Sequence, residues 1–147
     1  MKIIDCLSSL EKNQKEKREE GYIVYPLIKH STTKKEKNTK EKSNENHNIL
    51  IEYIRNTFKL NQKHIEIIKV HIPRGASVSK HKHPSATEIF IPDKILILKI
   101  NGKKITATQP IKIPKNTSHS IQGEQIFYAI KAYNNIFDKT LLIQNQL

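Results

Sequence analysis

The chain has 147 residues, enough for one hydrophobic core but too few for a second domain of ordinary size. Its formal net charge is +12 and its hydrophobic fraction is 36%, so part of the chain contributes little to any core. The one cysteine, Cys6, excludes an intrachain disulfide and a thiolate metal cluster, which predicts a reducing, cytoplasmic environment.

A short helix and one strand are predicted in the first 28 residues. Four apolar residues between Ile3 and Leu10 share one helical face, which indicates the helix. The run from Tyr22 to Ile28 is β-branched and aromatic but contains Pro26. Because proline has no N–H to donate to a neighbouring strand, this run is predicted to be an edge strand.

Residues 29–48 have the composition of a flexible basic loop. They contain no large apolar side chain and consist mainly of Lys, Glu, Asn, Ser and Thr. Such a segment cannot bury enough surface to offset the entropy of ordering it. We therefore interpret its histidines, His30 and His47, as bystanders and not as ligands.

A second helix is predicted over residues 49–60. Leu50, Ile54 and Phe58 lie at intervals of four residues, and Asn48 precedes them as a candidate cap. A strand that pairs with residues 22–28 is the alternative interpretation.

From residue 65 onward, short β-rich runs alternate with turn formers. Asn101-Gly102 lies between two apolar runs and predicts a two-residue hairpin. Many short strands joined by regular turns are typical of an all-β antiparallel sandwich or closed barrel. We therefore divide the chain into an N-terminal extension, residues 1–64, and a β domain, residues 65–147.

Two histidines in the β domain are placed to face its interior. On a strand through residues 79–83, His81 and His83 lie on one face, while Lys80 and Lys82 lie on the other. Alternation therefore presents two imidazoles inward and two ammonium groups to water. A histidine pair of this kind is a weak sign of a metal site when it stands alone.

The surrounding residues strengthen that sign because they resemble the first motif of the cupin superfamily. The motif runs Gly, five residues, His, one residue, His, three or four residues, Glu. Here Gly75, His81, His83 and Glu88 keep those intervals.

The second cupin motif ends in Pro, one residue, Gly, two residues, His. Pro114 and His119 match it, and Asn116 replaces the glycine, which is acceptable because Asn tolerates a left-handed backbone. Three positions depart from the two motifs: Ile95 stands where the first would close with Gly, Thr108 where the second would open with Gly, and Gly123 where the second would close with Asn. The resemblance covers residues 65–145 and says nothing of the first 64.

The resemblance implies an antiparallel jelly-roll (cupin) barrel with a metal inside it. Its ligands would be His81, His83, Glu88 and His119, a set suited to a divalent transition metal such as Fe, Mn, Ni, Zn or Cu. One or two coordination positions would stay open to water or substrate. The alternative is a barrel whose histidines make only internal hydrogen bonds.

Two functions are compatible with this site. One is a metalloenzyme with isomerase or dioxygenase chemistry on a sugar-like or chelating substrate. The other is a non-catalytic module that binds a small molecule such as a carbohydrate, because fold alone does not fix function. The sequence assigns no catalytic residue, and homodimerisation through outer strands stays open.

The positive charge gives little further information about partners. Nearly all the cationic residues are lysines, and arginine-rich patches and nucleic-acid modules are missing, which disfavours nucleic acid. A basic surface that favours an anionic small molecule remains open. The sequence offers no stretch of membrane-spanning length, so a membrane partner is not expected.

Five further residues are candidates for the interior. His71 lies on the opposite strand face from an apolar set that includes Val70, and His64 begins the segment. On the strand over 126–133, Tyr128 has opposite parity to Lys131 and Tyr133. One parity could supply a pocket acid or base, and ordinary packing is the favoured interpretation.

Overall fold

The structure is a computed structural model that describes residues 3–11, 17–19, 21–32, 45–136 and 141–142. Helix α1 (Ile3–Ser8) runs into a short 3-10 helix (Ser9–Glu11), and helix α2 (Glu45–Phe58) follows later in the chain. Within those ranges the strands are β1 (Lys17–Glu19), β2 (Tyr22–Ser31), β3 (His64–Ile72), β4 (Ser77–Lys82), β5 (Ala86–Pro92), β6 (Leu96–Ile100), β7 (Lys103–Ala107), β8 (Ile111–Ile113), β9 (His119–Gln122), β10 (Gln125–Tyr133) and β11 (Leu141–Leu142). In the described part of the chain, the helices are too short or too polar to span a membrane.

The strands form two antiparallel sheets with jelly-roll connectivity. The first sheet has the order β1-β2-β3-β10-β5-β8, and the second has the order β11-β4-β9-β6-β7. Of the eight strands β3 to β10, each sheet contains four. The first sheet contains β3, β5, β8 and β10, and the second contains the other four. This arrangement confirms the predicted all-β antiparallel jelly roll, although strand pairing does not close the two sheets into one continuous barrel.

The interior between the sheets is filled by inward-facing residues of both. The buried cluster there includes Ile72, Phe90, Leu98, Ile121 and Phe127. These residues alternate along their strands with outward-facing ones, as a half-buried strand requires. This inner core fills one part of the space between the sheets, and the polar residues described below line another.

The hairpin predicted at Asn101-Gly102 joins β6 to β7. Asn101 has φ 51° and Gly102 has φ 81°, so both central residues adopt the left-handed conformation that this type of turn needs. The pairing of Ile100 with Lys103 fixes the register immediately beyond the turn.

A second buried cluster lies on the outer face of the first sheet. Tyr128, Ile130 and Ala132 of β10 point away from the interior and belong to this cluster. The N-terminal residues cover it, because Leu7 of α1 and Ile54 of α2 are both fully buried there. The helices therefore shield an apolar sheet face that would otherwise be exposed to water.

The structure resolves the alternatives for residues 45–60 in favour of a helix and corrects its start. Helix α2 begins at Glu45, so Asn48 lies inside the first turn and is not the cap.

The predicted loop 29–48 is therefore too long at both ends. Strand β2 continues to Ser31, because Lys29, His30 and Ser31 pair with residues 64–66 of β3. Polar side chains are tolerated there because backbone pairing does not require the side chains to be buried. The prediction for residues 33–44 lies outside the described residues.

Strand β2 changes its orientation at an irregularity between Pro26 and Ile28. Before it, Tyr22 and Val24 line a cavity in the interior. After it, Leu27 and Ile28 belong to the outer cluster. On the side of β2 away from β3, β1 pairs with residues 22–24, so the predicted edge strand is wrong for these residues. Pro26 pairs with Ile68 of β3 and has no partner strand on its other side within the described residues, as a proline in a sheet requires.

Candidate metal centre

The fold brings the four residues of the predicted ligand set together. His81 of β4 is the direct cross-strand partner of His119 of β9, and His83 follows the end of β4. Glu88 reaches them from β5 in the opposite sheet. One ligand atom from each of the four lies within 4.8 Å of the others, which matches the reach of a single ion.

The turn before β9 shows how local sequence positions these side chains. Asn116 has φ 63°, the left-handed conformation predicted for it, and its backbone N–H donates to the His83 carbonyl at 2.6 Å. This bond joins the turn to the end of β4. His83 and His119 are thereby held side by side, with ring centroids 5.9 Å apart.

Backbone hydrogen bonds fix the orientation of two of the imidazoles. His81 Nδ1 lies 2.6 Å from the Ser79 carbonyl, and His119 Nδ1 lies 3.0 Å from the Thr117 carbonyl. A carbonyl oxygen only accepts, so each Nδ1 carries the proton. Neutral His81 and His119 therefore present the Nε2 lone pair, the arrangement that backbone partners impose on metal-ligating histidines.

Glu88 faces these lone pairs with a negative charge. Its Oε1 lies 3.1 Å from His119 Nε2 and 3.2 Å from His83 Nε2. Among the described residues, neither Glu88 Oε1 nor His119 Nε2 has a hydrogen-bond partner of acceptable geometry, although both are buried. Opposed lone pairs repel, so a proton or a cation must lie between them, and the donor set fits a divalent ion.

The pKa values reflect the same crowding of polar groups. Burial by itself would raise the pKa of Glu88, but contact with the His119 and His83 imidazoles outweighs burial and holds that pKa far below its usual range. Burial would lower the pKa of His119, and the Glu88 carboxylate reverses this and raises it. Burial and the neighbouring His119 lower the pKa of His81 to about 4.

We expect the metal-free protein to be most stable near the ordinary histidine pKa, about pH 6.5. The raised pKa of His119 gives stabilisation that is complete below pH 6.5 and is lost as the pH rises through its folded value. His81 acts oppositely, since between pH 6.5 and about 4 the unfolded chain binds a proton that the native chain does not. The resulting loss in the free energy of unfolding is about 3 kcal/mol over this range. Urea denaturation of chelator-treated protein across this range measures it, and His81→Asn should remove the loss between pH 6.5 and 4.

The centre opens into a cavity of about 460 Å³ between the sheets. Much of its lining is aliphatic or aromatic, and polar side chains enter it beside the histidines. Besides the cluster itself, these polar residues are Tyr22, Glu66, Ser79 and Lys131. The site is therefore an apolar pocket with a few converging polar groups, the usual form of a small-molecule site.

The structure also places the other candidates from the sequence. Lys131 lines the cavity, whereas Tyr128 is packed into the outer cluster. His71 shares the outward face of β3 with Ile67, and His64 stacks on Tyr133 at a centroid distance of 5.1 Å. Of these residues, only Lys131 is among those lining the described cavity.

Sequence reasoning missed three polar cavity residues, Glu66, Tyr22 and Ser79. The signal for Glu66 was its parity with Ile68 and Val70, which point inward. Tyr22 gave no comparable signal, because its inward direction depends on the irregularity in β2.

Comparison with known sequences gives no match, either to a family model or to a curated protein. Solved structures do resemble the chain. A variant of Streptomyces Pac13 with uridine has a TM-score of 0.57 and 10% identity, over 91% of this chain and 88% of that one. Pac13 is described as a nucleoside dehydratase.

Two further structures are similar over most of their length. KdgF from Halomonas has a TM-score of 0.51 and 12% identity, over 82% of this chain and 89% of that one. A predicted oxalate decarboxylase from Thermotoga maritima has a TM-score of 0.50 and 20% identity, over 84% of this chain and 96% of that one. At these identities, the likeness establishes a shared fold.

Proposed function

Since this divergent chain has the fold of the cupin superfamily, we propose that it is a metalloenzyme that holds a divalent transition metal and a small molecule side by side in its interior. The ligands would be His81, His83, Glu88 and His119. The observation that carries the proposal is the convergence of four ligand atoms within 4.8 Å, two of them on imidazoles already oriented by backbone carbonyls.

The donor set suits several metals equally. Three nitrogens and one carboxylate oxygen are compatible with Fe, Mn, Ni, Zn or Cu. Such an ion, when bound, supplies a Lewis acid for polarising a substrate oxygen.

The chain's own residues would then orient the substrate and move protons. Glu66, Lys131 and Tyr22 line the same cavity as three of the proposed ligands, His81, His83 and Glu88. These groups can accept or donate a proton, and the apolar lining limits the access of water to them. Their presence favours proton-transfer chemistry, such as isomerisation of a hydroxylated or carbonyl compound, over dioxygenation.

The names of structural neighbours support an enzyme over a passive binding module. One is a nucleoside dehydratase and another is a predicted oxalate decarboxylase. They support the reaction type only in general terms, since one fold hosts many chemistries. We therefore take no substrate from them.

Elemental analysis of protein purified without a metal-affinity tag tests the centre. We expect about one equivalent of a transition metal, and loss of most of it in His119→Ala because one of four ligands is removed. His71→Ala is the matched control, since His71 lies on the outward face of β3 and should leave the metal content unchanged. A protein that contains no metal and does not respond to added metal would contradict the proposal.

Turnover of a substrate panel tests for catalysis. The metal-loaded protein is incubated with sugars, sugar phosphates and hydroxy or oxo acids, and products and oxygen uptake are followed. Isomerised product without oxygen uptake is expected. Oxygen consumption would assign dioxygenase chemistry instead, and binding without turnover across the panel would assign a binding module.

A further inference from the structure

We infer that Lys131 is a substrate-positioning residue that pairs with a carboxylate, and that the site selects a hydroxy or oxo acid with a second carboxylate away from the metal. This inference rests on the proposed metal centre. It concerns a group on the cavity wall that is not one of the ligands.

The position of Lys131 follows from strand register. On β10 it is the direct partner of Glu88 on β5, and on its other side it is the direct partner of Glu66 on β3. Directly opposed residues of antiparallel strands have side chains on the same face, with Cβ atoms about 5 Å apart. All three line the cavity. A lysine side chain is long enough to reach a molecule bound next to Glu88.

Glu66, Lys131 and Glu88 form a row across three strands, and the summed formal charge of this row changes sign when a metal binds. With neutral histidines, Glu66, Lys131 and Glu88 contribute −1, +1 and −1, so the row carries −1. A divalent ion on Glu88 brings the total to +1. The cavity therefore attracts an anion more strongly in the metal-loaded protein, because the ion neutralises the carboxylate that otherwise competes for Lys131.

The same row indicates which anion is favoured. A single ammonium with an adjacent carboxylate suits a group of charge −1, whereas a phosphate dianion would be repelled by Glu66. Glu66 can instead accept a hydrogen bond from a substrate hydroxyl. The aliphatic and aromatic lining accommodates the carbon chain between the two polar ends.

Paired ligands that differ in one carboxylate test the inference. Protein loaded with Co²⁺, whose visible absorption reports the occupied site, is titrated with L-malate against L-lactate, and with 2-oxoglutarate against 2-oxobutyrate. We expect the dicarboxylate of each pair to bind about tenfold tighter or more, as a charge-assisted hydrogen bond provides. In Lys131→Met this ratio should fall to about one, and in Lys131→Arg it should be largely kept.

Matched controls separate the possible outcomes. Lys94→Met removes an exposed lysine outside the cavity and should leave the ratio unchanged. Equal binding of the two acids of a pair, no binding of either, or a ratio that survives in Lys131→Met would overturn the inference while leaving the metal centre intact. Failure of the protein to take up Co²⁺ would instead show that the proposed metal centre is wrong.

Discussion

Replacing Glu88 with glutamine is expected to lower metal affinity by more than about 100-fold, while the metal-free protein stays folded. The carboxylate is the one negative group among the proposed ligands, and an amide oxygen is a much poorer donor to a transition metal. Isothermal titration of chelator-treated protein with Zn²⁺ measures the loss.

The same substitution should not destabilise the metal-free form at a pH above the raised pKa of His119, where that imidazole is neutral. An amide NH₂ group can donate to His119 Nε2, whose lone pair otherwise faces the carboxylate oxygen at 3.1 Å. Thermal denaturation with chelator present therefore separates loss of a ligand from loss of the fold. Glu124→Gln, at an exposed turn, is the control for removing a negative charge. Unchanged Zn²⁺ affinity in Glu88→Gln would exclude Glu88 from the ligand set.

Ile54→Ala is expected to lower the free energy of unfolding by about 2 to 5 kcal/mol. Ile54 is fully buried where α2 packs on the outer face of the first sheet, so truncation leaves a cavity. Ile49→Ala in the same helix is the matched control, because Ile49 is 61% exposed and its change should cost less than about 0.5 kcal/mol. Urea denaturation followed by far-UV circular dichroism gives both values.

Urea denaturation of Ile54→Ala also reports whether the N-terminal residues and the jelly roll unfold together. If they form one cooperative unit, loss of the Co²⁺ absorption and loss of helical signal will coincide in Ile54→Ala. Loss of helical signal at lower urea, with the metal absorption unaffected, would instead show that α2 merely rests on a separately stable sheet. Equal stabilities of the Ile54 and Ile49 variants would contradict the packing described for α2.

Local patterns were sufficient to predict most strands of the β domain and the inward direction of His81 and His83, whereas Glu88 and His119 were proposed as ligands from the resemblance to the cupin motifs. The alternation of His81 and His83 with two lysines gives their direction, because β-strands have a strict period of two. The Asn101-Gly102 hairpin and the left-handed Asn116 were predictable for a similar reason, since their backbone requirements are met by few residue types.

Features that depend on contacts between distant segments were not predictable in this way. Which face of β10 looks inward depends on what covers the other face, and that cover comes from α1 and α2 near the start of the chain. The row of Glu66, Lys131 and Glu88 likewise depends on the register of three strands that are far apart in sequence. The polar ends of β2 and α2 were assigned to a loop because composition reports side-chain burial and not backbone pairing.

The division of the proposed ligands between the sheets has a mechanical consequence. The three histidines come from the β4 and β9 side, and Glu88 comes from the sheet that faces it. Strand pairing does not join the two sheets at this place within the described chain. A bound ion would therefore link the two sheets at this end of the sandwich and fix the distance between them. The size of molecule that the interior admits would then depend on the ionic radius of the metal as well as on the side chains of the wall.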